Sequence, residues 1–219
     1  MGIRNMFEEP SIVAEQFEDA SQQAEASRLG LWTFLATEVL FFGVVLLAYV
    51  VYWHVYPADF AAACKRTNLV LGTLNSVILV TSSLTLALAV QSDLARQRKQ
   101  VVILLMVTIL LGASFLGVKV VEYSEDITER LLPGPNFASD LPLHSQLFFC
   151  LYWISTALHG VHLIIGLCVL SVMVILAGRG KLMAGGRHTW LELSGLYWHF
   201  VDIVWILLYP LLYLLGRHL

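Results

Sequence analysis

An all-α integral membrane bundle of five transmembrane helices is the fold this chain predicts, and three observations carry the prediction. Of the 219 residues, 58% are hydrophobic and only 13% charged, about half the charged share of an ordinary soluble domain. The mean hydropathy is positive, +0.75. Five runs are as long as the roughly 20 apolar residues that a helix needs to cross hydrocarbon. The net charge of −3 comes largely from the N-terminal segment and one loop, so it gives no reason to expect nucleic acid as a partner. Cys64, Cys150 and Cys168 are far apart and lack CxxC spacing, which points to neither a disulfide framework nor a zinc site.

Residues 1–28 read as a polar, acidic surface tail, and residues 29–219 as the transmembrane domain. Glu8, Glu9, Glu15, Glu18 and Asp19 occupy the place where a cleavable signal would carry its apolar core, so the first membrane helix must act as its own insertion signal. That first span covers about 29–53 and is interrupted by Thr33, Thr37 and Glu38. A short loop with Pro57, Asp59, Lys65 and Arg66 leads to the second span, about 69–90, which holds Asn75 and the hydroxyl run Thr81, Ser82, Ser83 and Thr85. Small hydroxylated residues let helix backbones approach and hydrogen-bond across the contact.

A basic turn, 93–100, precedes the third span, about 101–123. Gly112 and Gly117 are its expected packing points, and Lys119 and Glu122 lie near its end. These two are expected to pair at the membrane interface, with Lys119 snorkelling. The longest connection, 124–145, contains a Pro133-Gly134-Pro135 corner that forbids a continuous helix. The fourth span, about 146–177, exceeds what the bilayer requires, and the fifth covers about 190–215. Trp32, Trp53, Trp190, Tyr209 and Tyr213 fall near span ends, where interfacial aromatic belts form. No internal repeat is evident, so the inverted-repeat plan of many transporters finds no support.

Orientation follows from Lys and Arg. The N-terminal segment and the second and fourth loops hold eight: Arg4, Arg28, Arg96, Arg98, Lys99, Arg179, Lys181 and Arg187. The other side holds four: Lys65, Arg66, Arg130 and Arg217. The positive-inside rule places the N-terminus in the cytoplasm and the C-terminus outside.

At about 1.5 Å of rise per residue, Glu38 lies roughly 13 Å from the inner end of its span, and His199 equally deep in the fifth. Asp202 sits a turn deeper than His199, on the same face. His159 and His162, also three residues apart, share a face in the inner half of the fourth span. Titratable groups at bilayer depth turn inward to partners, so these residues read as one buried polar seam. Two readings stand for His159, His162, His199 and Asp202: hydrogen bonding that fixes helix register, or a functional site. Glu38 is the strongest candidate for proton exchange, because a buried carboxyl can hold and release a proton. The histidines and Asp202 are ligand types for zinc, iron or copper, but no second cluster accompanies them, and no metal is assigned.

The segment from Leu191 to Trp205, Leu-Glu-Leu-Ser-Gly-Leu-Tyr-Trp-His-Phe-Val-Asp-Ile-Val-Trp, closely resembles the signature of subunit III of the haem-copper terminal oxidases. Ala36-Thr37-Glu38-Val39-Leu40-Phe41-Phe42, Leu74-Asn75 with Thr81-Ser82-Ser83, Glu122-Tyr123 and His159-Gly160-Val161-His162 are similar to further marks of that family, in the same order. The resemblance implies a non-catalytic subunit of a proton-pumping oxidase that reduces oxygen to water. The haem and copper would lie in partner chains, and none in this one. It implies packing against subunit I, with subunit II in the same complex, and phospholipid as a bound partner. Glu38 falls on the family's carbodiimide-reactive carboxyl, and Arg179 is placed to meet a lipid headgroup. The bacterial inner membrane is the implied location, with cytochrome c or quinol as electron donor. Seven-helix members have two helices before the one that bears Glu38. Here they are replaced by the acidic tail, unless a partner subunit supplies them. An independent proton-coupled transporter is the alternative from another class.

Overall fold

The computed structural model describes residues 16–180, 182 and 188–217. The expected tail therefore lies mostly outside the described residues, as do Arg4, Lys181 and Arg187 of the charge count. Among the described residues six α-helices form: α1 Ala20–Val55, α2 Pro57–Arg66, α3 Leu69–Leu94, α4 Arg98–Thr128, α5 Ser145–Gly178 and α6 His188–Tyr209. All but α2 are long and apolar enough to cross a membrane, α6 with the help of its C-terminal turns. Among the described residues there is no strand.

Several helices outrun the spans read from hydropathy, because capping chemistry rather than apolarity decides where a helix starts. α1 begins nine residues before Leu29, where the Asp19 carboxylate accepts a 2.7 Å bond from the Gln22 amide and satisfies one of the first-turn donors. The Ser21 hydroxyl, 2.6 Å away, helps to hold the Asp19 carboxyl below its usual range. Asn68 caps α3 in the same way, accepting from the Leu71 amide at 3.2 Å. α4 runs on to Thr128 and stops at Arg130, which takes a left-handed conformation (φ 59°) ahead of the Pro-Gly-Pro corner.

The first connection is a helix rather than a loop. Pro57 starts α2 at a position that needs no amide donor, and Phe60, Ala61, Ala63 and Cys64 bury its inner face. Gly216 lies so close to it that a Cβ there would meet Cys64 Cβ at 2.5 Å and the Ala61 Cα at 2.9 Å. Burial raises the Cys64 thiol above its usual range, which keeps it protonated and unreactive. Asp59 of α2 takes both the His144 amide (3.2 Å) and its Nδ1 (2.9 Å), fixing the entry to α5.

Helix α6 is the axis of the bundle and α1 its most exposed member. Trp198 Nε1 donates to Ser82 (3.1 Å) and Trp205 Nε1 to Ser76 (3.0 Å), so α3 and α6 run antiparallel through hydroxyl contacts. Thr85 and Thr108 bond at 2.8 Å between α3 and α4. Of the two expected packing glycines, Gly112 admits the Trp198 ring, which a Cβ would meet at 2.7 Å, whereas Gly117 faces open space. The chain leaves α6 through a widened π-type turn, Pro210–Leu214, that turns Tyr213 into the core.

Candidate functional site

The residues expected to form one seam occupy three separate places. Glu38 on α1 and His162 on α5 meet, Oε2 to Nε2, at 3.0 Å. His162 Nδ1 faces the Leu158 carbonyl oxygen one turn back, at 2.8 Å. That carbonyl requires a proton on Nδ1, which leaves Nε2 to accept from a protonated Glu38, or to donate to its carboxylate once the ring is charged. Either way a proton lies between the two. The edge of the Phe42 ring packs against His162 at 5.2 Å. The pair lines a cleft of about 430 Å³ between α1, α5 and α6, otherwise walled by Leu31, Phe34, Ile165, Val169, Leu193, Ser194 and Tyr197.

His199 turns the other way, to α3, where its Nδ1 meets the Ser83 hydroxyl at 2.6 Å. Asp202 is buried, and neither of its carboxyl oxygens has a well-formed hydrogen bond. His159 is fully buried between Phe115 and Trp205, at ring distances of 5.5 and 5.1 Å. Neither of its nitrogens has a hydrogen-bond partner. All five side chains are buried or half-buried. Periodicity could not show that i, i+3 neighbours on a thick helix such as α5 serve different neighbours. Arg179 ends α5 in the open, exposed.

The Lys119–Glu122 expectation needs correction. The two do pair, at 3.0 Å, but with side chains only 6% and 1% exposed, so Lys119 does not snorkel to the interface. Its ammonium also donates to Tyr152 (3.0 Å) and Tyr213 (2.8 Å), and the Tyr152, Tyr213 and Trp205 rings surround it at 4.6, 5.5 and 5.5 Å. Tyr213 is therefore core rather than belt, drawn in by hydrogen bonds that a position near a span end does not reveal. Tyr209, half-buried, stacks on it and bonds Thr73 at 2.7 Å. Asp126 completes the group, with Tyr152 3.0 Å from its Oδ2. The signal that could have found this cluster is the spacing Lys119, Glu122, Asp126, which at 3.6 residues per turn is one helix face.

At the other end of the bundle, Asp93 at the foot of α3 bonds His188 at the start of α6, and His188 also faces Glu192 at 3.4 Å. Glu192 meets Arg28 of α1 at 3.1 Å. Among the described residues, no three His, Cys, Asp or Glu side chains converge as a metal-binding set.

A profile described as cytochrome c oxidase subunit III matches residues 4–217. The chain belongs to that family. Cytochrome c oxidase subunit 3 of Thermostichus vulcanus is 30% identical over 192 residues, covering 86% of this chain and 87% of the relative. Cytochrome bo(3) ubiquinol oxidase subunit 3 of Pseudomonas aeruginosa is 32% identical over 188 residues, with 85% and 84% covered. Quinol oxidase subunit 3 of Bacillus spizizenii is 29% identical over 203 residues, with 89% and 91% covered. This subunit III is thus a multi-pass component of a haem-copper oxidase complex, and the transporter alternative finds no support among these relatives.

Proposed function

We propose that this subunit III carries no redox centre and serves its oxidase through proton supply and durability, with Glu38 as the exchanging carboxyl. The observation that carries the reading is the Glu38–His162 contact on the wall of an apolar cleft at membrane depth. An acid and an imidazole sharing one proton can pass it in either direction at low energetic cost. The cleft keeps them within reach of solvent or lipid.

In the same reading, the strongly exposed face of α1, with Leu29, Leu40, Val44 and Leu47, meets phospholipid or helices of a partner chain. Arg179 contacts a headgroup. Subunit I, which would hold the haem and copper, is the direct neighbour, and subunit II completes the core complex. The setting is a bacterial inner membrane with the N-terminus in the cytoplasm. Cytochrome c or quinol would be oxidised on other chains, and turnover of the native complex with each donor assigns which.

The test is the purified oxidase carrying Glu38→Gln. It should assemble normally and begin oxygen reduction near the wild-type rate, lose carbodiimide labelling of this subunit at residue 38, and inactivate sooner during sustained turnover. An immediate and complete loss of oxygen reduction in a fully assembled complex would contradict the peripheral role.

A further inference from the structure

The buried cluster at the other end of the bundle contains one more hydrogen bond than its hydrogens can fill. Six contacts link five side chains. Lys119 Nζ meets Glu122 Oε2 (3.0 Å), Tyr152 Oη (3.0 Å) and Tyr213 Oη (2.8 Å). Glu122 Oε1 meets Tyr152 Oη (2.8 Å) and Tyr213 Oη (2.5 Å). Asp126 Oδ2 meets Tyr152 Oη (3.0 Å). An ammonium supplies three hydrogens and each phenol one. That makes five for six contacts, so the sixth must sit on a carboxyl.

Charge balance reaches the same result independently. Lys119 and Glu122 are sealed, and Asp126 is only 4% exposed. With both carboxyls ionised the group would carry a net negative charge in an apolar surround, which is costly without further partners. Among the described residues the neighbouring elements bring no second cation to the group. α5 contributes Tyr152, the C-terminal turn Tyr213 and α6 the Trp205 ring, while Glu129 on α4 adds further negative charge.

We propose that Asp126, Tyr152 and Glu122 form a proton-binding relay that holds one exchangeable carboxyl proton, resting on Asp126. Two arrangements fill all six contacts. In the resting one, Asp126 Oδ2–H donates to Tyr152 Oη, and Tyr152 donates to Glu122 Oε1. In the other, the Asp126 O–H bond breaks as its proton passes to Tyr152, whose own proton passes to Glu122. Atoms and charge balance at each end. The Lys119 ammonium against Glu122 favours a charged Glu122, which fixes the resting arrangement. Asp126 lies two residues from the end of α4, whereas Lys119 is roughly 10 Å further in. Asp126 is therefore the member of the relay nearest the 129–144 loop. The relay is separate from Glu38, whose partner His162 lies midway along α5, ten residues from Tyr152.

Infrared spectra of the assembled oxidase, in water and in heavy water, test this. Asp126→Asn should abolish one deuterium-sensitive C=O band of a protonated carboxyl. It should still assemble, because the introduced amide keeps a donor toward Tyr152. Glu38→Gln should leave that band in place. Tyr152→Phe should keep the band but move it to higher frequency, since the acceptor is gone. An unchanged set of bands in Asp126→Asn would overturn the proposal, and an unmoved band in Tyr152→Phe would overturn the relay. Should Asp126→Asn fail to assemble, the unmutated complex decides. A lipophilic carbodiimide adduct mapped to Asp126 supports the site, and its absence alongside a labelled Glu38 overturns it.

Discussion

Two carboxyls in this bundle meet basic partners at the same 3.0 Å and yet face opposite conditions. Glu38 and His162 keep 17% and 12% of their side chains exposed and line a cleft, whereas Glu122 and Lys119 keep 1% and 6% and are enclosed by aromatic rings. The first partner is an imidazole whose other nitrogen faces the Leu158 carbonyl. The second is an ammonium held by three bonds. The difference separates a contact open to a cleft from one enclosed within the bundle. Along α5 the two are divided by the layer of Phe115, His159 and Trp205, in which His159 makes ring contacts and no hydrogen bond.

Breaking the sealed pair should have the largest effect. Glu122→Gln leaves the Lys119 ammonium buried without its counter-charge, at a cost of about 3–5 kcal/mol. Thermal unfolding and recovery of assembled complex should show a pronounced loss. Replacing both partners by apolar residues of similar volume, Lys119→Met with Glu122→Leu, should recover much of it. A single mutant with wild-type stability would mean that the pair is not sealed.

His162→Leu attacks the open pair. Glu38 can find water or protonate in the cleft, so the cost falls to roughly 1–3 kcal/mol, with assembly retained and carbodiimide reactivity at Glu38 altered. The smallest effect belongs to Arg28→Gln, which removes an exposed ion pair with Glu192 and should shift stability by about 0.2–1 kcal/mol, less at high salt. Parallel unfolding curves at two salt concentrations would rank all three.

The five spans and their inward faces were legible because a bilayer imposes a length and a cost on every residue. Glu38 and His162 were visible for the same reason, as polar atoms where none come free. Partner choice was not visible, because it depends on how helices distant in sequence are rotated against each other. Lys119 was read toward the interface because a long side chain near a span end ordinarily reaches water. Here two tyrosines, one presented by the π-type turn at Pro210–Leu214, offer it a buried alternative. α2 was missed because ten residues with weak mean hydropathy read as a loop until Gly216 and α5 give the apolar side of α2 something to bury against.

The contrast between the open and the sealed pair is tested most directly by carbodiimide labelling of the intact oxidase, with each carboxyl of this subunit mapped by mass spectrometry. The account predicts an adduct at Glu38 that disappears in Glu38→Gln, and none at Glu122 in any assembled sample. Labelling at Glu122, or an unreactive Glu38 in the native complex, would contradict it.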